Sequence, residues 1–137
     1  MKKLFFIFII FLFLFSCSHQ SYVVFESGKQ VSVELAETSE QQSNGLMFRT
    51  SLDENSGMLF IFKEQAERTF WMKNTLIPLD IIFINKDLEI VNIFDAIPCE
   101  KEPCALYSSQ GKYVLEVNQN FSIKNKIKIG QKVRLKL

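Results

Sequence analysis

Four polar residues set inside an apolar stretch mark where this sequence could do chemistry. Phe70–Ile84 holds Lys73, Asn74, Thr75 and Asp80 between two strand-like apolar runs, with the chain's single tryptophan at Trp71. Polar groups in a stretch bound for the core are costly unless paired, so they either tie a bend together or line a site. A tryptophan face beside a lysine and an asparagine offers a stacking surface with directional donors, suited to a saccharide or a small anion. On this reading Arg49, Trp71, Lys73, Asn74 and Asp80 line a pocket at the Lys73–Pro78 turn, with Glu116 a further candidate.

Two other readings compete with binding. Asp80 and Glu116 could be the acid/base pair of a hydrolase on cell-envelope polymer. That needs the carboxyls within roughly 5–10 Å across one cleft, and one pKa raised. Alternatively, Lys73 and Asp80 form an internal pair holding the bend, and the motif is structural. Glu116 shares a strand face with Val114, opposite Tyr113, Leu115 and Val117. It is either partly buried and paired with Lys73 or Arg49, or solvated on the outer face. Arg49, beside Leu46-Met47-Phe48, either packs its stem on the core with its head in water or aims at an anion.

The sole histidine, His19, lies in the stretch Ser18–Ser21 that reads as a tether, a poor position for catalysis. Histidine-based triads and zinc sites are therefore not expected. Cys99 and Cys104 are too few to hold a metal, and their four-residue gap does not fit a thioredoxin-like pair. As an even pair in an exported chain they read as a structural disulfide, with redox activity as the alternative. No glycine-rich phosphate loop, cofactor motif or metal set is present, and no cofactor is expected.

The elements that must position these residues are mostly strands. Gln30–Ala36 alternates with Val31, Val33 and Leu35 on one face, and Tyr22–Phe25 before it makes a partner. Thr38-x-x-Gln41 or Ser39-x-x-Gln42 fits a capping box for a short helix that Gly45 ends. Met58–Phe62 is apolar on both faces and reads as a central strand, followed by a charged turn or helical turn over 63–68. Thr69–Met72 and Leu79–Ile84 are strands, and Pro78, which cannot donate to a ladder, belongs at a strand start. Asn85-Lys86-Asp87 is a tight turn leading to Leu88–Phe94. Residues 95–112 read as the longest irregular loop, stapled by the cysteines. Tyr113–Val117 is a strand, Asn120–Asn125 a helical turn, and Gln131–Leu137 the last strand.

Of the 137 residues, the first sixteen read as a signal peptide: Lys2 and Lys3, then twelve apolar residues, Leu4–Phe15. That run is too short to span a bilayer and fits a secretory h-region. Leu14-Phe15-Ser16-Cys17 resembles a lipobox, which makes Cys17 a lipidated N-terminus anchored stably by more than one acyl chain. Ser18 after it favours the outer membrane, facing the periplasm, where the organism has one. Residues 17–29 then hold the lipidated cysteine, the tether and a possible first strand, and 30–137 the β domain. Losing Lys2 and Lys3 moves the formal charge from +1 to −1. A near-neutral domain lacks the basic face that broad nucleic-acid binding needs. Six basic residues and no acidic one from Lys124 onward read as edge protection or as contact with anionic lipid.

Val33-Glu34-Leu35-Ala36, Gly45-Leu46-Met47-Phe48-Arg49, Gly57-Met58-Leu59-Phe60-Ile61-Phe62, Phe70-Trp71-Met72-Lys73-Asn74-Thr75 and Pro78-Leu79-Asp80 occur in this order. Together with Tyr113–Val117 and Gly130-x-x-Val133, this succession resembles the bacterial and archaeal domain of unknown function 192 family over about residues 30–137. The Cys99 and Cys104 pair resembles what many exported members carry. The resemblance implies a mainly β domain, a compact β-sandwich or barrel with one short helix near Ser39–Met47. It implies no activity and no catalytic residues. The working expectation is a non-enzymatic envelope lipoprotein that binds a small ligand, saccharide or protein partner.

Overall fold

The computed structural model describes residues 19–137; the signal peptide and Cys17 expected from the sequence lie outside them. Seven strands form one curled sheet: β1 (Ser21–Phe25), β2 (Gln30–Ala36), β3 (Ser56–Trp71), β4 (Leu79–Ile84), β5 (Ile90–Ala96), β6 (Leu106–Asn118) and β7 (Val133–Lys136). Their order is β5-β4-β6-β3-β2-β1-β7, antiparallel except for β2 with β3. The curl brings the two edges together: Ile90 N–H donates to Gln131 O at 2.9 Å, and Val133 N–H to Leu88 O at 2.9 Å. The mainly β, barrel-like domain expected from the sequence is what forms.

Two short helices accompany the sheet, α1 (Ser39–Asn44) and α2 (Phe121–Lys124). α1 starts on the Thr38–Gln41 capping box: the Thr38 hydroxyl accepts from Gln41 N–H, and the Gln41 side chain accepts from Thr38 N–H. Gly45 ends it with φ +47°, a conformation that favours glycine.

The sheet buries a cluster on each face. One gathers Val23, Val31, Leu59, Ile82, Leu115 and Val117. The other gathers Leu46, Phe60, Met72, Ile81, Phe83 and Val114. This double burial is why Leu79–Ile84 and Met58–Phe62 read as apolar runs rather than alternating strands.

Two expectations are corrected here. The charged segment 63–68 is not a turn outside the sheet, and 106–112 is not loop. Both are strand, the far arm of a long β3/β6 ribbon. The register runs from Ile61↔Tyr113 to Ala66↔Gly111, so four β3 residues face one of β6 and the ribbon bends. Beyond the bend it lies over the second cluster: Phe70 meets Phe60 and Phe83 edge-on at 4.9 and 5.8 Å between centroids, and Tyr107 meets Phe94 at 5.6 Å. Gly111 lies at the bend in close quarters, where a Cβ would sit 3.2 Å from Tyr113 O and 3.4 Å from the Phe83 ring. The irregular loop shrinks to residues 97–105, closed by the Cys99–Cys104 disulfide.

Candidate functional site

Lys73 of the Lys73–Pro78 turn and Asp80 beyond it have side-chain partners within the protein, whereas the Asn74 side chain is exposed. Lys73 forms an ion pair with Glu102 in the disulfide loop, and its Nζ lies 5.3 Å from the centroid of the Trp71 ring. The hydrogen bond from Lys73, with its charge, holds the Glu102 carboxyl below the ordinary range. Asn74 is left-handed (φ +57°), which asparagine tolerates, and its carbonyl accepts from Phe48 N–H at 2.8 Å. Asp80 is buried and accepts from Asn120 N–H at 3.1 Å and Ser122 N–H at 2.8 Å, tying down α2. Arg49 grips Glu34 with both terminal nitrogens, Nη2 to Oε2 at 2.8 Å. That bond draws the Glu34 carboxyl down and the Arg49 guanidinium up.

The expected Lys73–Asp80 pair therefore does not form, and Glu116 pairs with neither Lys73 nor Arg49. The two carboxylates considered as an acid/base pair are also separated. In the β4/β6 ladder Asp80 sits opposite Val117 and Ile81 opposite Glu116. Directly paired residues share a face, so Asp80 projects with the Val117 cluster and Glu116 with the Val114 cluster. No single cleft holds both.

A cleft of about 450 Å³ opens on the Glu116 face. One wall is α1 with Gly45, Leu46 and Met47; the other is the far arm of β3 from Glu67 to Trp71; Phe60, Phe62 and Glu116 form the floor. The bend makes this space by swinging the ribbon arm across from the helix. Along that arm Arg68 and Phe70 turn inward, while Glu67, Thr69 and Trp71 lie on its more exposed face, Trp71 at the rim. Arg68 lays its guanidinium 4.1 Å from the Phe62 ring centroid, donates to Glu64 O at 2.7 Å, and keeps its buried Nε without a partner.

Glu116 is the unusual group. Only 5% of it is exposed, and among the described residues none donates a hydrogen bond to its carboxyl. It stands between Met58 and Ile81 on the neighbouring strands. Burial without compensation pushes its pKa up to about 8, so it carries a proton at neutral pH. Gly45 leaves it accessible: a Cβ there would sit 3.2 Å from Phe60 and 3.8 Å from the Glu116 Oε2 atom.

Of the residues singled out, Trp71, Thr75 and Glu116 line this cleft, whereas Arg49, Lys73 and Asp80 are held elsewhere by the partners above and the Asn74 side chain is exposed outside it. Sequence reasoning missed Gly45, Arg68, Phe60, Phe62 and Phe70. The alternation of Ala66, Arg68 and Phe70 against Glu67, Thr69 and Trp71 was the available signal for the arm. Among the described residues no group of three or more metal-ligating side chains gathers.

The model of domain of unknown function 192 (DUF192), described as an uncharacterized ACR, matches residues 22–135. The chain belongs to the DUF192 family. It is similar to a crystal structure from Novosphingobium aromaticivorans DSM 12444 of a protein of unknown function: 40% identity, TM-score 0.74, covering 84% of this chain and 83% of that one. It is also similar to a Sinorhizobium meliloti 1021 protein described as a "putative transcription regulator": 34% identity, TM-score 0.75, covering 85% of this chain and 92% of that one. No curated protein matches. The DUF192 match spans every strand that builds the cleft.

Proposed function

We propose that this DUF192 domain is a non-enzymatic binding module of the cell envelope, carried on an exported lipoprotein and taking a small ligand in the cleft over Glu116. The observation that carries the reading is a nearly buried carboxyl, unsatisfied within the protein, at the floor of an aromatic-walled cleft. Buried polar groups are normally hydrogen-bonded, and one left free at a cavity floor is available to something that enters. A saccharide fits the Trp71 rim as a stacking face and the protonated Glu116 as a donor. Leu106 is exposed opposite Trp71 in the β3/β6 register, and Phe48, bonded to Asn74, and Leu76 are exposed at the neighbouring turn; these apolar side chains support a protein partner as the second reading.

Export rests on the signal-like residues 1–16 and the lipobox-like Leu14–Cys17. The Cys99–Cys104 disulfide agrees with an oxidising compartment.

The test is a thermal-shift screen of oxidised residues 19–137 against cell-wall fragments, oligosaccharides and small anions, with Trp71→Ala and Lys73→Ala alongside. A compound that raises the melting temperature of wild type and Lys73→Ala but not Trp71→Ala supports the cleft. Shifts lost only in Lys73→Ala would move the site back to the turn, and none at all would remove the small-ligand reading. For the anchor, mass spectrometry of the membrane fraction should find Cys17 as a diacylglyceryl-modified N-terminus; an unmodified peptide spanning residues 10–25 would contradict it.

A further inference from the structure

A carboxyl buried without donors is half of an interaction. Ionised, it requires hydrogen-bond donors and a positive charge; neutral, it still leaves an acceptor unused. The cleft supplies no cation of its own to Glu116. Arg49 is committed to Glu34, Lys73 to Glu102, and Arg68 to Glu64 O and the Phe62 face. The titratable groups lining the cleft with Glu116 are Glu67 and Arg68 on the arm; Met58 and Phe60 of β3, Ile81 of β4 and Gly45 after α1 bring none. An anion entering here would meet an unpartnered acid at the floor and a second acid, Glu67, on the arm, against a single cation, Arg68, whose buried Nε is a donor left without a partner. A metal ion would find no group of three or more ligating side chains among the described residues.

Aromatic walls complete the picture. Phe60, Phe70 and Trp71 line the space above Glu116, and aromatic faces attract cations. The wall already carries one, the Arg68 guanidinium over Phe62.

We propose that the ligand group recognised by this cleft is a primary ammonium, seated on the Glu116 carboxylate beside Phe60 and Phe70, with Trp71 at the rim. The inference rests on the cleft being the binding site and names the chemistry it selects. An ammonium brings three donors and the missing charge in a head small enough for the opening that Gly45 leaves. Binding exchanges the proton on Glu116 for the ammonium: the carboxyl O–H breaks, the proton leaves to solvent, and the carboxylate accepts from N–H.

The test is calorimetry of benzylamine and its neutral counterpart benzyl alcohol on the full chain in non-ionic detergent, from pH 6 to 8.5, repeated in buffers of different ionisation enthalpy. Benzylamine should bind more tightly by about tenfold per pH unit up to pH 8, releasing close to one proton per ligand at pH 6 and fewer as pH rises. Glu116→Gln should abolish both the pH dependence and the proton release. The wild-type proton count stands as a test even where that variant folds poorly. Equal, pH-independent binding of benzyl alcohol and benzylamine would overturn the ammonium inference while leaving the cleft as a site. So would cleft binding by neutral oligosaccharides with none by benzylamine. No ligand of either kind perturbing the cleft would overturn both.

Discussion

Replacing Glu116 by glutamine should change how stability depends on pH, with a sign opposite to that of most carboxylates. In the folded protein the carboxyl keeps its proton to about pH 8, whereas in the unfolded chain it releases it near 4.5. Between those values the folded state binds more protons, so wild-type stability falls as pH rises and levels off above 8. At about 1.4 kcal/mol per pKa unit, this single group removes up to roughly 5 kcal/mol across the window. That is a large share of a typical domain's stability. Glutamine keeps the shape and never ionises, so the variant should lack this slope and gain on wild type steadily from pH 5 to 8. Glu34, drawn down by Arg49, works in the other direction and below the window: its stabilisation is present above about 4.5 and lost as pH falls. Urea denaturation of oxidised residues 19–137 at unit pH steps from 5 to 9 measures this directly. Parallel curves for wild type and Glu116→Gln would refute the claim that Glu116 is buried without compensation.

Other perturbations separate the structural residues from the cleft. Asp80→Ala leaves the N–H groups of Asn120 and Ser122 without acceptors and should cost about 1–3 kcal/mol in urea denaturation, without altering ligand binding in the cleft. Gly57→Ala puts a Cβ 2.4 Å from the Glu116 carbonyl oxygen, and forcing β3 and β6 apart should destabilise by roughly 1–3 kcal/mol or more. Reducing Cys99–Cys104, which closes a short loop, should lower the denaturation free energy by about 2 kcal/mol at most. Arg49→Ala removes a solvent-screened pair and should cost no more than about 1 kcal/mol; a larger loss would show that Arg49 does more than hold Glu34.

What could be read from the sequence follows from how local each signal is. The Thr38–Gln41 capping box and the Gly45 stop depend on neighbours a few residues away, and they form as written. The doubly buried runs at Met58–Phe62 and Leu79–Ile84 declare themselves by composition. The far arm of the ribbon does not, because Lys63, Glu64 and Gln65 sit at a bend and interrupt the alternation before it resumes at Ala66. With the arm read as a turn, the cleft beneath it could not be foreseen. The polar residues of the 73–80 stretch misled for a related reason: a lysine, an asparagine and an aspartate among apolar residues look alike whether paired inside the protein or waiting for a ligand. Only tertiary structure shows that Glu102 pairs with the lysine, that α2 satisfies the aspartate, and that the asparagine is exposed and serves the turn through its backbone. Glu116, whose sequence pattern fits a surface residue equally well, is buried with no donor to its carboxyl among the described residues.

The most direct test of the cleft as a ligand site is a two-dimensional ¹H–¹⁵N NMR titration of oxidised residues 19–137 with the oligosaccharide panel and with benzylamine. The account predicts shifts at Gly45, Phe60, Arg68, Glu116 and the Trp71 indole, with Asp80 and the α2 amides unmoved. Shifts confined to Lys73–Pro78, or none in the cleft at saturating ligand, would contradict it.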